Sequence, residues 1–166
     1  MFRKIDDFHT AWAQEVESTL KVFSALTDAT LSQKVDAQGR TLGKLAWHLV
    51  ETLQEMLPAA GLDVAFHIDP AVVPASASEI VAGYRSGAVL LGEAVASQWD
   101  DAALESVTNM YGAPWARGYT LQVLLLHQAH HRGQMTVLMR QAGLAVPGVC
   151  GPAREEWAAM GMQPQD

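Results

Sequence analysis

The stretch Leu121–Gly143, LQVLLLHQAHHRGQMTVLMRQAG, combines a helical apolar pattern with three histidines within five residues. An α-helix turns by about 100° per residue, so His127 and His131 lie one turn apart on the same face, with His130 at its edge. Apolar side chains also occupy the opposite face, at Leu121, Leu125 and Met139. The pattern predicts a helix that is buried, or that faces both a core and a partner subunit.

Two interpretations of this histidine pair are open. In the first, His127 and His131 are core residues that hydrogen-bond to backbone or carboxylate groups. In the second, the two neutral imidazoles share a divalent metal ion, which satisfies both lone pairs. Burying a polar group without a partner costs on the order of 2–7 kcal/mol, so an i, i+4 pair in an apolar helix favours the metal.

A third ligand must come from His9, His48 or His67. His48 lies in Thr41–Leu57, TLGKLAWHLVETLQEML, on the border between an apolar arc and a polar side. This position suits a metal site that opens to solvent at the edge of a helix bundle, but it also suits an ordinary partly exposed histidine. We expect His67 to lie in an exposed loop and His9 to have a surface role.

The rest of the chain predicts an all-α protein, a four-helix bundle that forms a single domain over residues 1–166. Periodicity and end signals place the helices at about Lys4–Ala25, about Leu42–Ala59, from Ser76–Ser78 to about Gln98, and about Leu121–Ala142. Thr41 and Thr120 are the expected caps of the second and fourth helices. The long second-to-third connection allows a crossover, the tail allows one short helix, and no β alternation is sustained.

Composition excludes several classes of function. The net charge is −7, and there is neither a basic tract nor a glycine-rich phosphate loop, so we expect no nucleic-acid partner. The sequence has no membrane span and no apolar segment of a signal peptide near Met1. With one cysteine, Cys150, an internal disulfide is impossible, and we expect a cytoplasmic protein.

The run HQAHHRGQMTVLMRQAG, followed by VPGVCGP, resembles the fourth-helix signature of the DinB/YfiT-like metalloenzyme superfamily, and TLGKLAWHLVETLQEM resembles its second-helix segment. The resemblance implies a DinB-like bundle with a crossover, often dimeric. It also implies a divalent metal, usually zinc or nickel, held by His48, His127 and His131, with His130 at a non-ligand position. Cys150 stands where the family usually has tyrosine.

Three histidines would leave a bound ion with an open position for a small-molecule substrate. The family includes enzymes that use low-molecular-weight thiols, which slightly favours a thiol-dependent S-transferase. A metal-dependent hydrolase and a non-catalytic, metal-stabilised bundle are the alternatives. The fourth helix has apolar residues on nearly all sides, which predicts a homodimer.

Further site residues are expected around the histidines. Glu51 is a candidate general base or orienting carboxylate, although with Glu55 it also fits an ordinary solvated helix face. Arg132 is a candidate for binding an anionic substrate, and an internal salt bridge is the alternative. Trp115 is a candidate pocket wall, with an aromatic core as the alternative.

Overall fold

A computed structural model describes residues 1–163 and contains four long helices. Helices α1, α2, α3 and α4 span Ile5–Ser24, Leu42–Ala59, Ala77–Gln98 and Arg117–Gln141. The expected four-helix architecture is confirmed. The Thr41 hydroxyl accepts a hydrogen bond from the Lys44 N–H at 3.0 Å, so this residue caps α2 as expected.

The start of α4 differs from the prediction. The helix begins at Arg117 after an N-cap at Ala116, and Thr120 is a buried residue of its first turn whose hydroxyl donates to the Ala116 carbonyl. Thr120 is therefore not the cap. The four preceding residues belong to a strand, and the Arg117 N–H donates to the Ser106 carbonyl at 2.9 Å, so a backbone group satisfies one of the free N–H groups of the first turn.

A short β-hairpin precedes α4 and was not predicted. Strand β1, Val107–Met110, pairs antiparallel with strand β2, Ala113–Ala116. Tyr111 and Gly112 form the loop with positive φ angles of 53° and 85°, a geometry typical of tight hairpin turns. Strands this short carry too few residues for an alternating pattern to stand out.

The helices form two parallel pairs. Arg132 of α4 contacts Glu15 of α1, and Phe2 before α1 contacts Gly118 at the start of α4, so α1 and α4 run in the same direction. Trp47 of α2 lies near Gly83, and Leu53 lies near Gly87, so α2 and α3 also run in the same direction. Each pair packs antiparallel against the other.

The connection between α2 and α3 is the expected crossover. It runs back along the bundle: the Asp63 N–H donates to Gln98 at the end of α3, and the Ile68 N–H donates to Gln54 in the middle of α2. Phe66 of this segment is buried, and its ring lies against Gly87 of α3. The parallel arrangement of α2 and α3 therefore depends on a segment that packs into the core.

Aromatic and aliphatic side chains from all four helices form one core, which includes Phe8, Trp12, Phe23, Leu53, Tyr84 and Leu138. On α3 the core position is Ala88, which is buried, whereas Val89 is 53% exposed. Gly87 allows close packing against the crossover segment and α2, and Gly83 allows it against α2. Gly133 does not serve this purpose, because a Cβ there would meet nothing within 4 Å.

The tail after α4 contains two short 3₁₀ helices, Arg154–Glu156 and Ala158–Met160, instead of one helix. Arg140 of α4 donates to Glu155 at 2.9 Å, and Glu156 accepts from the Gly148 and Ala153 N–H groups, which fixes the tail against α4. Within residues 1–163, none of the helices is long and apolar enough to cross a bilayer.

Candidate metal centre

Three histidines meet where α2 packs antiparallel against α4. The ring centroid of His48 lies 5.1 Å from that of His127 and 4.8 Å from that of His131, and the two α4 rings lie 4.4 Å apart. One nitrogen from each imidazole can be chosen so that all three lie within 4.8 Å of one another. The residues that the sequence nominated as metal ligands are thus brought together, although they are separated by up to 83 positions along the chain.

The spacing of the two α4 imidazoles fits chelation of a single ion. The Nε2 atoms of His127 and His131 are 3.1 Å apart. Two nitrogens at about 2.0–2.1 Å from a tetrahedral ion are separated by roughly 3.3 Å. The i, i+4 spacing of a helix therefore places the lone pairs close to a metal-binding separation without any distortion of the backbone.

The second ring nitrogens of two of the histidines are held by hydrogen bonds. His48 Nδ1 lies 3.3 Å from Glu51 Oε2, and Glu51 Oε1 accepts from Lys44 Nζ at 2.5 Å. His131 Nδ1 donates to Gln134 Oε1 at 2.7 Å. Each bond leaves Nε2 as the nitrogen that faces the cluster, and carboxylate or amide partners of this kind orient histidine ligands in metalloproteins.

The environment keeps two of the imidazoles neutral. Burial first, and then the neighbouring His131 and His48 imidazoles, lower the pKa of His127 from its ordinary value of 6.5 to about 4. Burial also lowers the pKa of His131, against the opposing effect of the hydrogen bond that His131 donates to Gln134. A neutral imidazole has the free lone pair that a metal requires, so both residues are ready to bind an ion near neutral pH.

The histidine cluster lies between two openings in the surface. An apolar cavity of about 390 Å³ is lined by His131 and by residues of α4, α2 and the loop before α2. On the other side, a carboxylate-lined cleft contains His48, Glu51 and Glu55 of α2 together with His67 of the crossover segment. His67 is exposed, as expected, and lies outside the three-histidine group.

Arg132, the predicted anion-binding residue, is 4% exposed and points toward α1. Its guanidinium pairs with both carboxylate oxygens of Glu15 and donates to Thr19 Oγ1 at 2.8 Å. The internal salt bridge considered from the sequence is therefore present. Arg117 is also engaged, since its Nε donates to the Ala60 carbonyl and its guanidinium lies 4.7 Å from the Trp99 ring centroid.

Trp115, the predicted pocket wall, lies on β2 and is partly buried. Its ring packs edge-to-face between Tyr111, at 5.7 Å, and Tyr119, at 5.1 Å. The Tyr111 hydroxyl donates to Glu55 at 2.9 Å, which ties the hairpin to α2. This aromatic group lies beside the cleft at Glu55, and it does not line the histidine cluster itself.

His130 and Cys150 stay outside the cluster. His130 is exposed, with its ring centroid 4.9 Å from that of His131, and it lies outside the three-histidine group. Cys150 is exposed in the tail. The sequence analysis did not identify Gln134 and Lys44, although helical spacing indicates both. Gln134 follows His131 by one helical turn, and Lys44 precedes Glu51 by two helical turns.

Comparison with known proteins agrees with the fold. A model of the DinB family matches residues 1–166. The chain belongs to the DinB family. The "Uncharacterized protein YrdA" of Bacillus subtilis (strain 168) is 40% identical over 163 residues, covering 98% of each chain.

Two solved structures of DinB-like proteins share the architecture. One, from Bacillus cereus ATCC 10987, is 43% identical with a TM-score of 0.86, and the match covers 90% of this chain and 99% of that one. Another, YjoA from Bacillus subtilis, is 12% identical with a TM-score of 0.68 over 86% of this chain and 97% of that one, so it shows the fold alone.

Proposed function

We propose that this DinB-family protein is a metal-dependent enzyme in which His48, His127 and His131 hold one divalent ion, zinc or nickel. The observation that carries the proposal is the convergence of the three imidazoles, with two Nε2 atoms 3.1 Å apart. When bound, such an ion supplies positive charge and an open coordination position, which lower the pKa of a water or a thiol there.

The residues around the cluster position the ligands. Glu51 holds His48 through Nδ1 and is itself held by Lys44, while Gln134 holds His131. These contacts support a positioning role for Glu51. The same carboxylate is the candidate catalytic base, since it also lines the cleft beside His48.

Thiol transfer is the reaction that the surroundings support best. A thiol transferase needs space for two organic molecules, and the histidines lie between an apolar cavity and a separate cleft. In the reaction, a low-molecular-weight thiol gives its proton to solvent, and its sulfur bonds to an electrophilic carbon. The carbon's bond to the leaving group breaks, and the electron pair departs with that group.

Two other functions remain as alternatives. A hydrolase would use water in place of the thiol and would need only one organic substrate. A non-catalytic bundle would use the ion for stability alone, with the fourth position closed by another ligand.

Under thiol transfer, we propose that Trp115 contributes to substrate binding through the aromatic group at the cleft. For Arg132, the Glu15 partner favours a structural role over the anion-binding role predicted from the sequence.

We also propose a homodimer in the cytoplasm, with no nucleic-acid or membrane partner. Tyr119 and Leu126 are 41% and 58% exposed on α4, two turns apart. Their spacing places them within about 20° of one another around the helix, and neither lines the apolar cavity beside His131. Light scattering at micromolar concentration checks this: a dimer supports the proposal, and a particle of 17.9 kDa contradicts it.

Cobalt substitution tests the function. Cobalt is loaded into the metal-free protein, and low-molecular-weight cellular thiols are added one at a time. A sulfur-to-cobalt charge-transfer band, absent from a His127→Ala control, supports thiol transfer. Absence of this band with every thiol, together with metal-dependent ester or amide cleavage, establishes the hydrolase instead. A cobalt spectrum of a closed coordination shell, without either activity, establishes the structural role.

A further inference from the structure

The apolar cavity beside His131 has the size and chemistry of a small-molecule site. Its volume of about 390 Å³ falls within the range of ligand pockets. Residues from three segments form it: the loop before α2, the first turns of α2, and the second half of α4. The side chains that matter for recognition are Val35, Arg40, Leu45, His131, Val137 and Leu138.

The walls of the cavity are suited to a hydrocarbon body. Leu45 and Leu138 are buried and form its base, whereas Val35 and Val137 are 65% and 51% exposed. Single exposed valines are common on protein surfaces. Here two of them, from segments about 100 positions apart in sequence, face the same concave space, so an apolar ligand would cover both and gain about 25 cal/mol for each Å² removed from water.

Arg40 is the charged residue of the lining. It is exposed, and within residues 1–163 its guanidinium makes neither a hydrogen bond nor an ion pair. The carboxylate nearest to it in the loop sequence, Asp36, accepts hydrogen bonds from the N–H groups of Gln38 and Gly39 at 2.8 and 2.7 Å. The five donors of Arg40 are therefore available to an incoming anion, and a guanidinium matches a carboxylate with two parallel hydrogen bonds.

We propose that this cavity binds a small molecule with one carboxylate and an apolar body. The carboxylate pairs with Arg40 at the rim, and the hydrocarbon part packs against Leu45, Val137 and Leu138. The single arginine, in a chain of net charge −7, favours a monoanion over a polyanion. The other end of the ligand lies toward His131, which lines the same cavity.

The proposal deepens the proposed function by naming the substrate class. The orientation toward His131 rests on that function, whereas carboxylate binding at Arg40 requires no metal. Binding is measured with metal-free and with zinc-loaded protein, and the zinc content of the same samples is measured. Failure of carboxylate binding at Arg40 is therefore distinguishable from failure of the metal-dependent function.

Octanoate is the probe, and octanamide is its uncharged analogue. Titration into ¹⁵N-labelled protein, followed by NMR, gives the dissociation constants and identifies the amide groups that shift. We expect octanoate to shift the amides of Val35, Gly39 and Val137 with or without zinc. Octanamide should bind about tenfold more weakly, because it lacks the charge-assisted hydrogen bonds.

The variant Arg40→Gln should remove the preference for octanoate over octanamide. Arg85→Gln is the matched control, because Arg85 is an exposed arginine on α3 outside the cavity, and it should keep the preference. The proposal is overturned by equal affinities for the two probes, by shifts confined to other regions, or by an unchanged preference in Arg40→Gln. Octanoate binding that needs zinc but not Arg40 would make the carboxylate a metal ligand, which also overturns it.

Discussion

The Nε2 atoms of His127 and His131 lie 3.1 Å apart, and the Nδ1 atom of His131 is turned away to Gln134. One turn of α4 therefore presents two nitrogen ligands at the spacing of a chelate, and α2 adds a third from His48. The bundle supplies the rigidity for this arrangement, because both helices carry buried residues immediately beside the ligands, including Leu49, Gln128 and Met135.

Replacing Glu51 with Gln should weaken metal binding. The variant loses the charged partner of His48 Nδ1, and loss of such a partner lowers metal affinity by about 10–100-fold. Competition with a chelating dye measures the dissociation constant. Glu55→Gln is the control, because Glu55 bonds to Tyr111 and should leave affinity unchanged. Equal affinities for the two variants would remove Glu51 from the positioning role.

The metal-free protein should lose stability as the pH falls. The pKa of His127 is lowered from 6.5 to about 4 and that of His131 is lowered as well, so between these values the unfolded chain binds more protons than the folded one. The free energy of unfolding therefore decreases from about pH 6.5 toward about pH 4. Urea denaturation across that window measures it.

The control for the pH prediction is a double variant, His127→Gln with His131→Gln. It removes both titrating groups and should show a shallower loss of stability over the same pH range. Identical pH dependence in the variant and the unmodified protein would show that these imidazoles titrate normally in the folded state.

The Glu15–Arg132 pair should matter for stability and not for metal content. Arg132 and Glu15 side chains are 4% and 12% exposed, so Glu15→Ala leaves a buried charge unpaired and should cost about 3–5 kcal/mol. Glu155→Ala breaks the more exposed pair with Arg140 and should cost less than about 1 kcal/mol. Urea denaturation compares them. Similar losses in both variants would contradict a structural role for Arg132.

Gly87 should be sensitive to a single added methyl group. A Cβ there would lie 2.7 Å from Phe66 Cε1 and 2.9 Å from Leu53 Cδ1, so Gly87→Ala should destabilise the protein by about 1–3 kcal/mol. Gly92→Ala on the same helix meets only Trp12 atoms at 3.6 Å or more and should be neutral or slightly stabilising. Thermal unfolding distinguishes them, and equal melting temperatures would show that the crossover packs more loosely.

Much of this fold was predictable because the signals are local. Thr41 is a recognisable cap, and glycine or proline residues mark several of the helix ends, so three helices lie within one or two residues of their predicted bounds. The histidine pair on α4 follows from helical spacing alone. Helical spacing does not place His48 beside this pair, because its distance from α4 depends on how α2 and α4 pack.

The features that were missed depend on non-local packing. Arg132 and Glu15 are 117 positions apart, and helical periodicity does not specify which charged residues of two helices form an ion pair. The hairpin has strands of four residues and a non-glycine loop residue, Tyr111, at positive φ. The apolar cavity exists because the loop with Val35 and Arg40 lies against α4, which the loop's own sequence does not reveal.

Metal content of purified variants tests the central claim most directly. Elemental analysis after loading with zinc and removal of excess ion should give about one ion per chain for the unmodified protein. His131→Ala should contain almost none, because it removes one of the two nitrogens of the α4 chelate. His67→Ala should keep the full content, since His67 is exposed and lies outside the cluster. Equal zinc content in the two variants would contradict the three-histidine site.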